Sequence, residues 1–177
     1  GRAVARADVW RTRRGVTPAA ARPDVRLLRG KAYGFEKHEQ MERQGDRDYL
    51  PIDRNTVLVM KSGGPKGAPG CPEWGWLPMP KMLLKQGVKD IVRISDARMS
   101  GTSFGTVVLH VAPESAIGGP LGIVQTGDEV VLDVASRTLN ISLSEDEIAK
   151  RSAAFVTPKP HYDRGYGKLF LEHVTQA

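Results

Sequence analysis

The chain has 177 residues, of which 40% are hydrophobic and 26% charged, with a formal net charge of +6 and a single cysteine, Cys71. This length suits one domain with its own core, and no apolar run approaches the roughly 18 residues needed to cross a bilayer. One cysteine excludes an internal disulfide framework and a self-contained multi-cysteine metal site. We therefore expect a cytoplasmic protein with no membrane partner.

The positive charge is concentrated at the start of the chain. Residues 1–30 contain eight arginines and two aspartates, whereas the remaining residues carry 18 basic and 18 acidic groups. Because residues 1–29 also show no sustained hydrophobic period, we predict a poorly ordered, Arg-rich arm ahead of a domain over residues 30–177. No aromatic interleaving or nucleic-acid motif accompanies the arginines, so no nucleic-acid partner is expected.

The first half of the domain alternates apolar strands with polar connections. Strands are predicted at 31–35, 56–60, 88–94 and 106–111, and helices at 36–44 and 80–86. Residues 61–78 contain five glycines and four prolines, which predicts a long, stiff loop. A second loop, around residues 95–102, crowds hydroxyls, one carboxylate and one guanidinium between two apolar strands. Such loops on rigid scaffolds often carry binding and catalytic groups.

The second half predicts a small antiparallel unit and two helices. Strands are predicted at 121–124, 129–134 and 138–143, the last two forming a hairpin with one wet face. Ser144 and Glu147 form a capping-box pattern that opens a helix through residue 154, and a last helix is predicted at 169–176. About seven strands and three or four helices predict a β-rich α/β domain, with a partly closed, barrel-like sheet and peripheral helices.

Taken singly, the polar residues of the two loops are open to more than one interpretation. Ser100 lacks the G-x-S-x-G elbow, so it is either a base or nucleophile or, more commonly in such a context, a hydroxyl that stabilises a turn. Glu73 suits a Mg²⁺ ligand or a loop salt bridge. Asp96 and Arg98 are expected to pair with each other or to cap loop amides, and His110 to be a core histidine.

In combination, the motifs resemble a known family. The segments GPKGAPGCPEWGWLPMP at 64–80 and VRISDARMSGTSFGTVVLHVAPESAIGGPLGIVQTGDEV at 92–130 closely resemble the C-terminal domain of the dihydroxy-acid and sugar-acid dehydratases. The resemblance runs from about Gly30 to the end of the sequence. SDARMSGT at 95–102 and HYDRGY at 161–166 are similar to the sugar-acid, arabonate- or xylonate-like, branch.

The resemblance implies a swivelling β/β/α domain and a hydro-lyase that converts an aldonic acid to a 2-keto-3-deoxy acid. In this family an iron–sulfur cluster, commonly 2Fe–2S, acts as Lewis acid on the leaving 3-hydroxyl, and Mg²⁺ stabilises the enolate. Ser100 is implied as the base, acting as an alkoxide, and Thr102 as its hydrogen-bonding assistant. Both would contact the substrate, and Glu73 is implied as a Mg²⁺ ligand.

The resemblance also implies an incomplete site. The cluster cysteines and the other Mg²⁺ ligands of the family lie in an N-terminal domain that is absent from this sequence, and Cys71 alone cannot hold a cluster. The expected partners are that N-terminal dehydratase domain, which would bind the cluster, and further copies in a full-length homo-oligomer. The isolated chain is predicted to be inactive. The alternative is a non-catalytic fragment or docking module that binds a separate N-terminal dehydratase domain.

Overall fold

The computed structural model describes residues 52–68, 77, 79–98 and 105–176, and in the earlier part of the chain the backbone strands at 6–9 and 27–35. Seven strands form one sheet: β1 (Arg6–Val9), β2 (Leu27–Phe35), β3 (Thr56–Met60), β4 (Arg93–Ser95), β5 (Val107–Ala112), β6 (Glu129–Asp133) and β7 (Thr138–Ile141). Among the described residues, three α-helices accompany it: α1 (Lys81–Lys85), α2 (Glu145–Ala153) and α3 (Gly165–His173). The mixed α/β class predicted from the sequence is confirmed.

The strand order is β1-β5-β4-β3-β2-β6-β7. The four strands β2, β3, β4 and β5 are parallel to their neighbours within that group, whereas β1, β6 and β7 pair antiparallel. The carboxyl ends of the parallel strands therefore share one edge of the sheet. In open α/β sheets, ligands bind in the crevice outside such an edge.

The centre of the sheet is covered on both faces. All five residues of β3 are buried, and they alternate between two apolar clusters. Leu58 and Met60 join one cluster with Leu83 of α1, whereas Val57 and Val59 join the other, which includes β6. An unbroken apolar run such as TVLVM suits a strand buried on both faces, because each side chain has a packed layer to enter.

Several predicted elements agree with the structure. The strand at 56–60 matches β3 to the residue, the strand at 106–111 corresponds to β5, and the predicted hairpin is formed by β6 and β7. Ser144 is the N-cap of α2, and its hydroxyl accepts a hydrogen bond from the Glu147 N–H at 3.2 Å. The predicted helix at 36–44 lies outside the described residues.

Two predicted strands differ from what is observed. Residues 121–124 form a 3₁₀ turn, Pro120–Ile123, because Pro120 at its first position fixes φ and the Gly122 N–H closes back onto the Gly119 carbonyl at 2.8 Å. In the run at 88–94, only Arg93–Ser95 adopts strand geometry. Before it, the Val92 carbonyl accepts a hydrogen bond from the Leu58 N–H at 2.9 Å, and Val88 and Ile91 pack in an apolar cluster. Apolar character alone therefore overestimated the length of the strand.

The expected partial barrel is not found. In the part of the chain that the structure describes, β1 and β7 are the two ends of the strand order, and no pairing joins them. Closing a barrel requires the two edge strands to pair with each other, so the described sheet is open. β1 and the start of β2 fall within residues 1–29, and the division into an arm and a domain stays a prediction.

Candidate functional site

Three loops leave the carboxyl edge of the parallel strands side by side. They follow β3 from Lys61, β4 from Asp96 and β5 from Pro113. The predicted metal ligand Glu73 belongs to the first loop, and the predicted catalytic and substrate-binding residues Ser100 and Thr102 belong to the second. All three lie outside the described residues, so their roles remain predictions. The segments that anchor them are described, and these anchors define the candidate site.

The first anchor is the side chain of Asp96, which is fully buried. Its Oδ1 accepts a hydrogen bond from the Gly63 N–H at 2.9 Å. Its Oδ2 accepts from the Ser62 N–H at 3.1 Å and from the Ser115 N–H and hydroxyl at 2.9 and 2.5 Å. One carboxylate thus joins the three loops. Of the two roles expected for Asp96, the capping of loop amides is confirmed.

The second anchor is Glu114, whose side chain is also fully buried. Its Oε2 accepts a hydrogen bond from the Lys66 N–H at 2.9 Å. Gly64 lies against this carboxylate so closely that a Cβ there would overlap the Glu114 carboxyl group and would lie 2.9 Å from the Asp96 carbonyl oxygen. The glycine therefore permits the close approach between the loop after β3 and the loop after β5.

The far ends of both undescribed loop segments are fixed as well. The buried guanidinium of Arg93 donates a hydrogen bond from Nη1 to the Leu77 carbonyl at 2.9 Å, four residues beyond Glu73. Burial lowers the pKa of Arg93, and the nearby Asp90 carboxylate partly opposes this. Asp90 in turn accepts hydrogen bonds from the Thr106 N–H and hydroxyl, the latter at 2.7 Å. The loop that carries Ser100 is thus fixed by Asp96 at its start and by Asp90 at its end.

The strand between these loops contains a bulge at His110, whose φ is +54°. The pairing of β1 with β5 shifts by one residue here, and Val108 and Val111 enter the same apolar cluster although they are three residues apart. His110 is half-buried, and its N–H donates to the Ala97 carbonyl at 3.1 Å. It is therefore a bulge residue beside the loop of Asp96, where the sequence predicted a core histidine.

The segment 161–176 reaches the same edge from the end of the chain. His161 Nε2 lies 3.0 Å from the Gly67 carbonyl oxygen, and Lys66 Nζ donates to the Leu171 carbonyl of α3 at 2.9 Å. The Gln176 side-chain oxygen accepts from the Glu114 N–H at 2.9 Å. We refer to these three polar contacts as the C-terminal clasp. Sequence reasoning missed it because no periodicity or spacing links positions that are 62 to 105 residues apart.

Sequence reasoning also missed the anchoring roles of Asp90 and Glu114. Glu114 offered a signal, since it is a lone carboxylate between an apolar strand and a Gly-Gly-Pro turn, where a buried acid needs backbone donors. Asp90 offered less, because a polar residue beside Lys89 fits an ordinary exposed turn. Ser115, which accepts from the Ser62 N–H while donating to Asp96, had no distinguishing sequence feature.

The described residues do not by themselves form a metal centre. Among them, no group of three or more His, Cys, Asp or Glu side chains is arranged to hold a metal ion. Asp96 and Glu114 direct carboxylate oxygens at backbone N–H groups. A cluster held by several thiolates does not fit a chain with one cysteine, whereas a single Mg²⁺ ligand at Glu73 is compatible with the chain. No helix among the described residues has the length and hydropathy needed to span a membrane.

Comparison with known proteins shows what this chain is similar to. The family model for the dihydroxy-acid/6-phosphogluconate dehydratase C-terminal domain matches residues 14–177. A 6-deoxy-6-sulfo-D-gluconate dehydratase of Pseudomonas putida is 52% identical over 159 residues, which cover 90% of this chain and 28% of that protein. An L-arabinonate dehydratase of Rhizobium leguminosarum bv. trifolii is 45% identical over 163 residues, with the same coverage of 90% and 28%.

A more distant match is the mitochondrial dihydroxy-acid dehydratase of Saccharomyces cerevisiae, 36% identical over 151 residues, which cover 85% of this chain and 26% of that protein. The resemblance predicted from the two long motifs is confirmed, and the higher identities belong to enzymes named for sugar acids, as the motifs at 95–102 and 161–166 indicated. The chain spans 28% of the length of the two relatives that match it better.

Proposed function

Because the chain belongs to the dihydroxy-acid/6-phosphogluconate dehydratase family, whose C-terminal domain it forms, we propose that it supplies one half of the active site of a sugar-acid dehydratase. The reaction is the elimination of water from an aldonic acid to give a 2-keto-3-deoxy acid. One observation carries the proposal: the loops that contain Ser100, Thr102 and Glu73 start side by side at the carboxyl edge of the sheet and are tied together by buried carboxylates.

In this proposal, Ser100 removes the proton from C2 of the substrate as the C3–O bond breaks. The proton from C2 and the hydroxide from C3 together make the water that leaves, and the remaining enol tautomerises to the 2-keto acid. A serine hydroxyl is a weak base, so this role requires strong local electrostatic support. Thr102 would hold the substrate or Ser100 by a hydrogen bond. The anchors at both ends of the loop support this assignment, because a poor base must be held in a fixed position to act at a useful rate.

We assign one Mg²⁺ ligand to this chain and the iron–sulfur cluster to another part of the protein. Glu73 would hold Mg²⁺, and a bound Mg²⁺ would supply positive charge next to the substrate carboxylate. The single cysteine cannot hold an iron–sulfur cluster, so we assign the cluster to an N-terminal dehydratase domain. We further propose that the two domains swivel relative to each other, that the full-length protein is a cytoplasmic homo-oligomer, and that the isolated chain is inactive.

A second candidate function is a non-catalytic docking module that binds a separate N-terminal dehydratase domain. The observation that favours it is the single cysteine, because residues that cannot hold a cluster by themselves would act only together with a second domain. In both candidate functions the chain binds an N-terminal dehydratase domain, but only in the first does it take part in catalysis.

A complementation assay with an N-terminal part of a relative distinguishes the two candidate functions. The chain, alone and mixed with the N-terminal part of the Pseudomonas putida relative, is incubated anaerobically with iron, sulfide, Mg²⁺ and a panel of pentonates and hexonates, and 2-keto acid is measured. We expect turnover only in the mixture and a loss of about a hundredfold or more for Ser100→Ala, with Ser103→Ala of the same loop as the matched control. A stable complex without turnover would favour the docking module. Equal activity of the two variants would refute the role of Ser100.

A further inference from the structure

The two loops proposed to carry the base and the metal ligand meet at one buried side chain. Asp96 directly follows β4 and precedes Ser100 by four residues in the same loop. Its carboxylate accepts hydrogen bonds from the Ser62 and Gly63 N–H groups of the loop that contains Glu73, and from Ser115 of the loop after β5. The side chain is fully buried, so these contacts link the loops through the interior of the protein.

All of the hydrogen bonds observed at this carboxylate come from loop groups. A buried carboxylate is stable only when hydrogen bonds replace its lost hydration, and here three backbone N–H groups and one hydroxyl do so. Backbone donors do not change rotamer, so they fix the carboxylate and are fixed by it. This geometry makes Asp96 unsuited to bind substrate or metal and well suited to hold backbone in place.

We infer that Asp96 is a positioning residue that sets Ser100 relative to Glu73, an inference that rests on the proposed function. The contacts at this position require both the length and the charge of an aspartate side chain. An asparagine would present an NH₂ group to at least one of the N–H donors, which would leave a buried donor unsatisfied. A glutamate would be one methylene longer, so its carboxylate would miss donors that lie 2.9 to 3.1 Å from the aspartate oxygens.

Asp90, which precedes β4, provides a control. It is bonded to Thr106 at the far end of the Ser100 loop, and its charge acts on Arg93, which holds the Leu77 carbonyl. Asp90→Asn should therefore loosen the far ends of the two loops and leave the hydrogen bonds of Asp96 intact, whereas Asp96→Asn should release both loops at Asp96. Ser115→Ala is a milder variant in case Asp96→Asn does not fold. It removes the hydroxyl that donates to Asp96 and accepts from the Ser62 N–H, and it leaves the three backbone donors to the carboxylate in place.

The first measurement is amide hydrogen exchange on the full chain. In Asp96→Asn, exchange at Ser62, Gly63 and Ser115 should become about tenfold faster or more, as expected for the loss of hydrogen bonds to a charged acceptor. Exchange should also rise in both segments 69–76 and 97–104, whereas Asp90→Asn should raise it at Thr106 and leave it unchanged at Ser62, Gly63 and Ser115. Faster exchange in just one of the two segments in Asp96→Asn would overturn the inference.

The second measurement is kcat in the complemented assembly, with variants compared at temperatures equally far below their melting points. Asp96→Asn should lower kcat about a hundredfold, the effect expected for displacement of catalytic groups by about 1 Å, and clearly more than Asp90→Asn does. A merely structural role would give equal losses in the two variants, and that result would overturn the inference. If the unmodified assembly has no turnover, the proposed function fails, and the exchange experiment still decides whether Asp96 couples the loops.

Discussion

A buried acidic side chain at the carboxyl edge of the sheet can bind a ligand or can hold the backbone of a loop in place, and the sequence does not distinguish these two roles. At Asp96 and Glu114 the second applies, because the oxygens that accept hydrogen bonds accept them from loop amides. Residue chemistry alone predicted the capping role for Asp96 as one of two options, since a carboxylate in a glycine-bounded loop has amides nearby. It did not assign Glu114, whose partner Lys66 is 48 positions away along the chain.

Gly64 tests how tightly these carboxylates hold the loop after β3. In Gly64→Ala, the new methyl group would press on the Glu114 carboxyl group and the Asp96 carbonyl. The carboxyl group cannot rotate away without breaking its hydrogen bond from the Lys66 N–H, and the carbonyl belongs to the backbone. We expect a loss of about 1–3 kcal/mol in the free energy of unfolding, as for other overpacked sites, measured by urea denaturation.

The matched control is Gly63→Ala. Its methyl group would meet the end of the flexible Met60 side chain at 2.7 Å and the Ala97 Cβ at 3.0 Å, and the methionine can move. We expect a smaller loss of stability than for Gly64→Ala. Equal losses in the two variants would show that the loop as a whole, and not its contact with Glu114, limits stability.

Secondary-structure elements were predicted most accurately where the local sequence pattern and the burial of the segment agree. The run TVLVM predicted β3 correctly because apolar side chains on both faces are compatible with a central strand. The run from Leu121 to Val124 was equally apolar, yet Pro120 and the flanking glycines made it a 3₁₀ turn that contributes Leu121 and Val124 to a core cluster. Apolar character thus predicted burial in both cases and secondary structure in only one.

Helix α2 depends on charge more than on burial, since none of its residues is buried. Arg151 joins it to the rest of the fold by two contacts to Asp128, at 2.6 and 3.2 Å, and by one to the Ile123 carbonyl at 3.1 Å. It also bonds Glu147 at 2.7 Å. This hydrogen bond lowers the pKa of Glu147, and the same acidic partners raise the pKa of Arg151.

Arg151→Ala should therefore destabilise the protein in a pH-dependent way. At neutral pH we expect a loss of about 1–2 kcal/mol, from the hydrogen bonds to Asp128. Because the pKa of Glu147 is lower in the folded state, its contribution is present above the unfolded pKa of about 4.3 and is lost as the pH falls through the folded pKa. The difference between the native protein and the variant should shrink as the pH falls from about 5 to about 3.

Urea midpoints across this pH range, together with a control variant, check this prediction. Lys150 provides the control, since its side chain is 81% exposed and its amino group lies 3.9 Å from Glu147. Lys150→Ala should change stability by only a few tenths of a kcal/mol. A stability difference for Arg151→Ala that stays constant with pH would contradict the assigned link to Glu147.

For the whole molecule, the sequence predicted the class and the neighbourhood of the site, but not the arrangement that builds it. The loops of Glu73 and Ser100 start side by side because β3 and β4 are parallel neighbours, and strand pairing is not encoded in local periodicity. The resemblance to a family supplied the candidate functional residues, whereas the anchors at the ends of their loops became visible only in the fold. The open sheet has the same origin, since edge pairing depends on contacts between distant segments.

The C-terminal clasp is the longest-range feature of this kind, and it makes a prediction about the whole fold. Helix α3 has no buried residue, so the three polar contacts of the clasp are a large part of what holds this segment at the edge of the sheet. Two of them go to the loop after β3 and one to the Glu114 N–H of the loop after β5. In the double variant Lys66→Met and Gln176→Ala, two of these contacts are lost. We expect amide exchange in residues 63–68 to rise about tenfold, as for the loss of about 1.4 kcal/mol of hydrogen bonding, with little change in melting temperature.

Lys168→Ala on the same helix, where a half-exposed amino group lies 3.6 Å from Glu172, is the control and should leave this exchange unchanged. If the double variant exchanges like the native chain, the loop after β3 is held by Asp96 and Glu114 alone, and the clasp only fastens the helix.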